Sequence, residues 1–487
     1  MSAEPSSHGR LRPNALGVAG IVFFVVAMAG PLAATLGASP IAFGSIGAGA
    51  PGAYLVAGVV LLLFAVGFAA MSVHVTSAGG FAVYVGRALG QRAGIAAAFV
   101  ALVAYNGMLL GLYAIIGFFA EAIIDAEFGL HLPWQVWTLI VIALVAILGY
   151  RDVNLSAKVL GALMLLEVAI LLLFDVAVIG SGGADGLSLE PFAPANWFDG
   201  AYGVAFLFAF ASFVGFEATA IYGEEARDPK RTIPRATYAA VTIIGLFYVL
   251  ATYSIAMAVG PDQVGGLATD NPEGFIIDAN TEFVGGWSTH VMNVLTVTSF
   301  FAVVLAFHNT LARYLYALGR GGVLPPFLGR THGAHRSPHT ASVVQSAIGF
   351  AVLIAFMLAG ADPFAEIYSW LVSVGTIGVL VLQASVAIVV VVFFRRTRLD
   401  RRVWHTIVAP LLGAAGLIYA IVMAVEHFDV LTGASGGVVR HLYWVIPLAA
   451  IVGAAVGVWR TREGADLERG FSEAPVPPVA VREEVLG

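Results

Sequence analysis

The apolar positions of this chain fall into long runs, and its polar positions cluster in the short gaps between them. A helix needs roughly 20 apolar residues to cross hydrocarbon, so runs of this length predict membrane spans. They lie near 15–43, 53–76, 94–125, 134–150, 155–180, 200–223, 236–260, 289–319, 341–360, 364–394, 405–426 and 441–459. The expected fold class is an all-α polytopic membrane protein with twelve transmembrane helices. The first run follows the polar residues 1–14 and continues well past the apolar length of a signal peptide, so it reads as an uncleaved span.

Two of the runs are interrupted at mid-length. In the first, Gly30-Pro31 sits within VFFVVAMAGPLAATLGASPIAF, where proline removes a helix hydrogen bond and glycine loosens the backbone. In the sixth, Ser212 and Gly215 break FLFAFASFVGFEATAIYGEE, and Glu217 follows at membrane depth. Backbone groups freed inside hydrocarbon are tolerated only where they face protein or a wet cavity, and a carboxylate there marks a pathway or a coupling site. With the breaks five helices apart, the second unit enters the membrane from the opposite side, as an inverted repeat does. The spacing divides the chain into a tail 1–14, a five-helix repeat 15–180, a second repeat 199–394, helices 11 and 12 over 405–459, and a tail 460–487 whose Pro, Glu and Arg content predicts disorder.

Composition supports the bilayer reading: only 11% of residues are charged, where a soluble chain carries about 25%. There is no cysteine, which excludes disulfides, thiolate metal sites and cysteine nucleophiles. The basic residues add orientation. With the N-terminus inside, every one of the 24 Lys and Arg except Arg440 falls in an inner loop, an inner helix end or a tail. The outer loops are acidic, at Asp125, Glu127, Asp185, Glu190, Asp262, Asp270, Glu273, Asp278 and Glu282. Both termini are therefore expected on the cytoplasmic face of the cytoplasmic membrane.

The remaining polar residues supply candidate chemistry. Glu167 lies about 20 Å along the fifth helix from Asn154, near mid-membrane, and serves as a proton carrier, a partner for a cationic amine, or a helix-to-helix hydrogen bond. Glu217 either pins the broken sixth helix or couples transport, held by Arg313 or by freed backbone N–H groups. Asn106 either lines a site or glues helices beside the small-residue face of Gly107 and Gly111. The paired breaks place a substrate against backbone at Ala29, Gly30, Pro31 and Leu32 and at Ser212 and Gly215, with Asn106, Phe210 and Phe213 as walls. Several motifs dissolve on inspection. Ala78-Gly79-Gly80 has no preceding strand and no following lysine, so it is an interfacial or re-entrant linker and not a phosphate loop. His332, His335 and His339 surround Pro338 in a Gly- and Arg-rich stretch that reads as solvated loop, so no metal and no cofactor is expected. Gly453 and Gly457 stand at GxxxG spacing and suggest packing or a homodimer through helices 11 and 12. Nothing points to nucleic acid.

The sixth-helix block resembles the amino acid-polyamine-organocation (APC) superfamily of secondary transporters. It carries Gly215, Phe216 and Glu217, then Glu225, Pro229, Lys230, Arg231, Ile233, Pro234 and Arg235. The loop residues Ser77 to Gly80 with Tyr84 are similar too, as is the eighth-helix exit with Arg313, Tyr316, Ala317, Arg320, Gly322 and Pro325. The resemblance covers most of residues 15–394 and implies a LeuT-like five-plus-five inverted repeat, with substrate held between broken helices 1 and 6. It also shows departures. Ala29-Gly30-Pro31-Leu32 replaces a backbone donor with proline where relatives bind a substrate carboxylate, Gly321 stands where relatives have Asp, and Glu167 stands where several carry a lysine.

The expected function is secondary active transport of amino acids or related small amines by alternating access, coupled to protons. Sodium symport or exchange on the same fold, a polyamine or amine permease, and a non-transporting membrane sensor are the alternatives. An intramembrane enzyme would need a Ser/His, HExxH or paired-aspartate arrangement at depth, and the sequence carries none.

Overall fold

The computed structural model describes residues 16–75, 79–151, 157–224, 226–332, 337–433 and 437–471. Ser77, Glu225, His335 and the tail beyond Phe471 lie outside the described residues. The helices run α1 (Val18–Ala29), α2 (Pro31–Ile46), α3 (Ala50–Ser72), α4 (Gly80–Leu89), α5 (Gln91–Phe128), α6 (Trp134–Tyr150) and α7 (Ala157–Ser181). They continue with α8 (Pro194–Trp197), α9 (Tyr202–Ala211), α10 (Pro229–Val259), α11 (Val264–Asp270), α12 (Phe275–Phe283) and α13 (Gly286–Arg320). The last are α14 (His339–Leu358), α15 (Ser369–Thr397), α16 (Ala409–Glu426), α17 (Phe428–Thr432), α18 (Val445–Arg462) and α19 (Leu467–Phe471). Among the described residues the sole β feature is one bridge, Leu16 to Ala226, and ten helical runs are long and apolar enough to cross a membrane. The protein is an all-helical polytopic membrane protein.

The longest helix, α5, forms the spine. It packs against α15, α18, α4, α13 and α6. Small residues let it do so: a Cβ on Gly107 would sit 2.7 Å from the Leu371 carbonyl, and one on Gly111 would sit 2.6 Å from Val372. Contact at this range brings backbones together without hydrophobic driving force, which lipid does not supply. A second layer pairs α3 with α10, α2 with α9, and α1 with the 3-10 segment Phe216–Glu224.

Both interrupted runs are broken where the pattern placed the breaks. α1 ends at Gly30 in the left-handed region, φ 58°, and Pro31 opens α2 at its first helical position, where a missing N–H costs nothing. Any side chain on Gly30 would also collide with Val303, 2.5 Å from an added Cβ. The sixth run stops at Ala211, passes through turns at 212–215, and resumes as a 3-10 helix. Its turn N–H groups are not left bare, since Phe213 and Val214 donate back three residues to Phe210 and Ala211 at 3.1 Å each.

Gly453 and Gly457 serve packing, one of the two roles expected of them: added Cβ atoms would lie 2.8 Å from Ala96 and 3.1 Å from Arg92, so the GxxxG stripe meets α5 of the same chain. One expectation needs correction: the tail is not disordered from residue 460, because α18 runs to Arg462 and α19 follows with Leu467 and Phe471 buried. Its charged composition hid two apolar anchors that find a groove on the bundle.

Candidate functional site

The two breaks meet. A Cβ on Gly215, whose φ is 117°, would sit 3.3 Å from Met28 of α1. At that φ an L side chain is strained whatever the space, so this position is reserved for glycine. Between the breaks lies a partly open cavity. The first helix pair contributes Met28, Ala29, Ala33, Ala34 and Ala38, and the broken sixth run contributes Ala211, Ser212 and Val214. Met108 and Leu112 of α5, with Val303, Phe307, Tyr368 and Val372, complete the lining. No charged side chain lines it.

Several of the residues expected at the site are placed elsewhere by helix rotation. Asn106 donates to the Leu102 carbonyl and accepts from Gln345 of α14, each at 2.8 Å, so it joins α5 to α14. Met108, two residues on and about 200° around the helix at 100° per residue, reaches the cavity instead. Phe213 is fully buried on the far side, near Gly58 and Gly245 and edge-on to the ring of Tyr248 at 5.8 Å. Phe210 is buried outside the lining, and the aromatic wall is made by Phe307 and Tyr368. Pro31 and Leu32 also lie behind the cavity. Ser212 remains at it, its hydroxyl 3.2 Å from Tyr54 and donating to the Phe208 carbonyl at 3.0 Å.

The two buried carboxylates are tied to the breaks. Glu217 accepts from the Gly215 N–H at 2.9 Å, from its own N–H, and from the Tyr105 hydroxyl of α5 at 2.9 Å. The N–H groups freed by the sixth break are thus gathered on one carboxylate that also anchors to the spine. Arg313, exposed on α13, is not among the groups that hold Glu217, which are the Gly215 N–H, its own N–H and Tyr105. Glu167, on α7, accepts from the Ser299 hydroxyl of α13 at 2.8 Å and from the Leu32 N–H. Leu32 is the second residue of α2, and the next N–H, Ala33, donates to Ser299 at 3.3 Å. A carboxylate therefore caps the positive end of the half-helix that begins at the first break, where orphan N–H groups and the helix dipole favour negative charge. Tyr248 of α10 adds a donor to the Ala29 carbonyl at 3.3 Å.

A third carboxylate escaped the sequence reading. Asp175 sits eight residues beyond Glu167 on α7, is 1% exposed, and faces Ser254 of α10 without closing a hydrogen bond. Its signal was an aspartate inside the apolar run LLLFDVAVIG, the same kind of signal that singled out Glu167. Among the described residues no group of three or more His, Cys, Asp or Glu could hold a metal.

The two interrupted runs thus border one partly open cavity inside a helical membrane bundle, and comparison with known proteins supplies the family. The family description "Amino acid permease" matches residues 14–456. The chain belongs to this amino acid permease family, within the APC superfamily. It is 24% identical to the branched-chain amino acid permease BcaP of Bacillus subtilis over 52% of this chain and 50% of that one. It is 26% identical to BcaP of Lactococcus lactis over 68% and 72%, and 23% identical to the probable amino-acid permease meu22 of Schizosaccharomyces pombe over 57% and 49%. The chain spans about half the length of the curated relatives that it matches first.

Proposed function

We propose that the chain is a secondary active transporter for neutral amino acids with apolar side chains, working by alternating access and coupled to protons. The observation that carries this reading is the cavity between the two breaks, lined by alanines, methionines, valines and two aromatics and by no charged side chain. A substrate's apolar side chain would be matched there by dispersion and desolvation, while its ammonium and carboxylate would meet backbone at the breaks. The names of the bacterial relatives, branched-chain amino acid permeases, support the same substrate class. No carboxylate faces the cavity to neutralise a polyamine or a cationic side chain.

In this reading the twelve apolar runs form five-plus-five inverted repeats, with α1–α2 and α9 with its 3-10 continuation as the paired broken helices, followed by helices 11 and 12. Protons are favoured as the coupling ion because Glu167, a titratable carboxylate, is held at the first break by the Ser299 hydroxyl and the Leu32 N–H. Counterflow in proteoliposomes tests the substrate class: leucine, isoleucine and valine should exchange, and lysine and polyamines should not. Gly215→Leu should abolish the exchange in a protein that still folds in detergent. Preferential exchange of a cationic amine, or normal exchange by Gly215→Leu, would move the substrate class or the site.

Orientation follows from the basic asymmetry, with both termini and residues 224–235 inside and 262–288 outside. Arg231 and Asp270 are both exposed, and the chain has no native cysteine. An impermeant thiol reagent applied to intact cells should label Asp270→Cys and spare Arg231→Cys. Labelling of Arg231→Cys would invert the scheme.

A further inference from the structure

The segment that follows the last span is built into the bundle, and its contacts share one location. The Asp466 N–H donates to the Gly321 carbonyl at 2.9 Å, and Gln91 of α5 donates to the Ala465 carbonyl. Arg87 of α4 pairs with Glu468 at 2.6 Å, and Arg320 of α13 donates to the Arg469 carbonyl at 3.2 Å. Leu467 and Phe471 are 2% and 7% exposed, and the Phe471 ring lies 5.0 Å from that of Tyr314 on α13.

The receiving surface is cut to fit. A Cβ on Gly94 would sit 2.7 Å from Leu467, one on Gly79 would sit 2.8 Å from the Phe471 ring, and one on Gly321 would sit 2.7 Å from the Asp466 carbonyl. The segment answers with its own Gly470, whose added Cβ would lie 2.3 Å from the Ala317 carbonyl. Four glycines on both sides of one contact make a seat that larger side chains would fill. The seat joins α4, the start of α5 and the end of α13, so a docked segment ties these three elements to one another. It also reaches inward: Tyr314 is an electrostatic neighbour of Tyr105, which holds Glu217 at the sixth break.

We propose that residues 465–471 are a clasp on the inner mouth of the carrier, docked when the cavity is closed to that side and released when it opens. The inference rests on the transporter reading for its meaning, while its physical content, docking coupled to access, can be measured without any substrate. In the cysteine-free chain, thiol labelling of Leu467→Cys reports docking, and labelling of Ser212→Cys in inside-out vesicles reports access to the cavity. Glu468→Arg should raise both labelling rates several-fold, and adding Arg87→Glu, which restores an ion pair of reversed polarity, should return both toward the parent. Phe471→Ala should act like Glu468→Arg through lost packing. Full-rate labelling of Leu467→Cys in the otherwise unmodified chain would overturn docking. A rise at Leu467→Cys without one at Ser212→Cys would overturn the clasp. A chain that exchanges no amino acid would fail the transporter reading and leave both labelling rates to decide this one.

Discussion

Glu217→Gln should yield a protein that unfolds more readily, with a stability loss of about 2 kcal/mol, because hydrogen bonds to a charged acceptor contribute about 1.5–3 kcal/mol each. The carboxylate uses its acceptor-only character fully, taking the Gly215 N–H, its own N–H and the Tyr105 hydroxyl. Glutamine keeps one acceptor oxygen, and its NH2 faces either a backbone N–H, donor against donor, or the Tyr105 hydroxyl, which must then turn to accept; in both cases the charge that strengthens these bonds is lost. Glu217 is 6% exposed, so water cannot repair the mismatch. The sixth break would then lose the atom that holds its freed N–H groups, and the cavity wall at Ser212 and Val214 would loosen with it. Thermal unfolding of the purified protein in detergent measures the first effect, and counterflow measures the second. Asp at this position, one methylene shorter, should recover part of the stability only if it still reaches Tyr105. A Glu217→Gln protein with an unchanged melting temperature and unchanged proton-driven uptake would refute both the pin and any coupling role.

Uptake against a gradient should be lost in Glu167→Gln while exchange survives. Glu167 links three helices, since it stands on α7, accepts from Ser299 on α13, and caps the half-helix that begins at Pro31 through the Leu32 N–H. Ionised, it suits a positive helix end and two donors. Protonated, it offers a donor where the Leu32 N–H also donates, and the link weakens. A proton arriving at Glu167 thus changes the grip between the first break and the helices behind it, which is the property a coupling group needs. Glutamine is permanently neutral and fixes one of the two conditions. Exchange runs on substrate alone and should persist, whereas proton-driven accumulation should fall to the background of empty liposomes. The amine-pairing alternative gives a different outcome, a loss of affinity for cationic substrates in both modes. Accumulation against a gradient with unchanged affinity and pH dependence would leave Glu167 with neither role.

The breaks themselves were legible because they violate a simple rule: hydrocarbon punishes unpaired backbone, so Gly30-Pro31 and Ser212 to Gly215 stood out against apolar surroundings. Glu167 and Glu217 were legible for the same reason, as charges in runs that should have none. Asp175 obeyed that rule equally and was missed for want of a neighbouring break to draw attention to it. The GxxxG stripe at Gly453 and Gly457 was visible as a packing face, yet its partner was not, because a small-residue stripe fits a second copy and a neighbouring helix alike.

Hydropathy, the placement of Lys and Arg and the two interruptions determined by themselves that this chain is a helical membrane protein broken within two of its apolar runs. Each of these is a local preference of a residue for water or hydrocarbon and needs no knowledge of neighbours. Which face of each helix meets the cavity was decided only by the tertiary structure. Asn106 and Met108 differ by about 200° around α5, and packing against α14 turned the asparagine away and the methionine in. The same holds for Phe213, drawn between Gly58 and Gly245, and for Arg313, turned outward on α13. In a run apolar all round, no periodicity marks an inner face, so rotation about the helix axis is set by the shapes of the helices it touches.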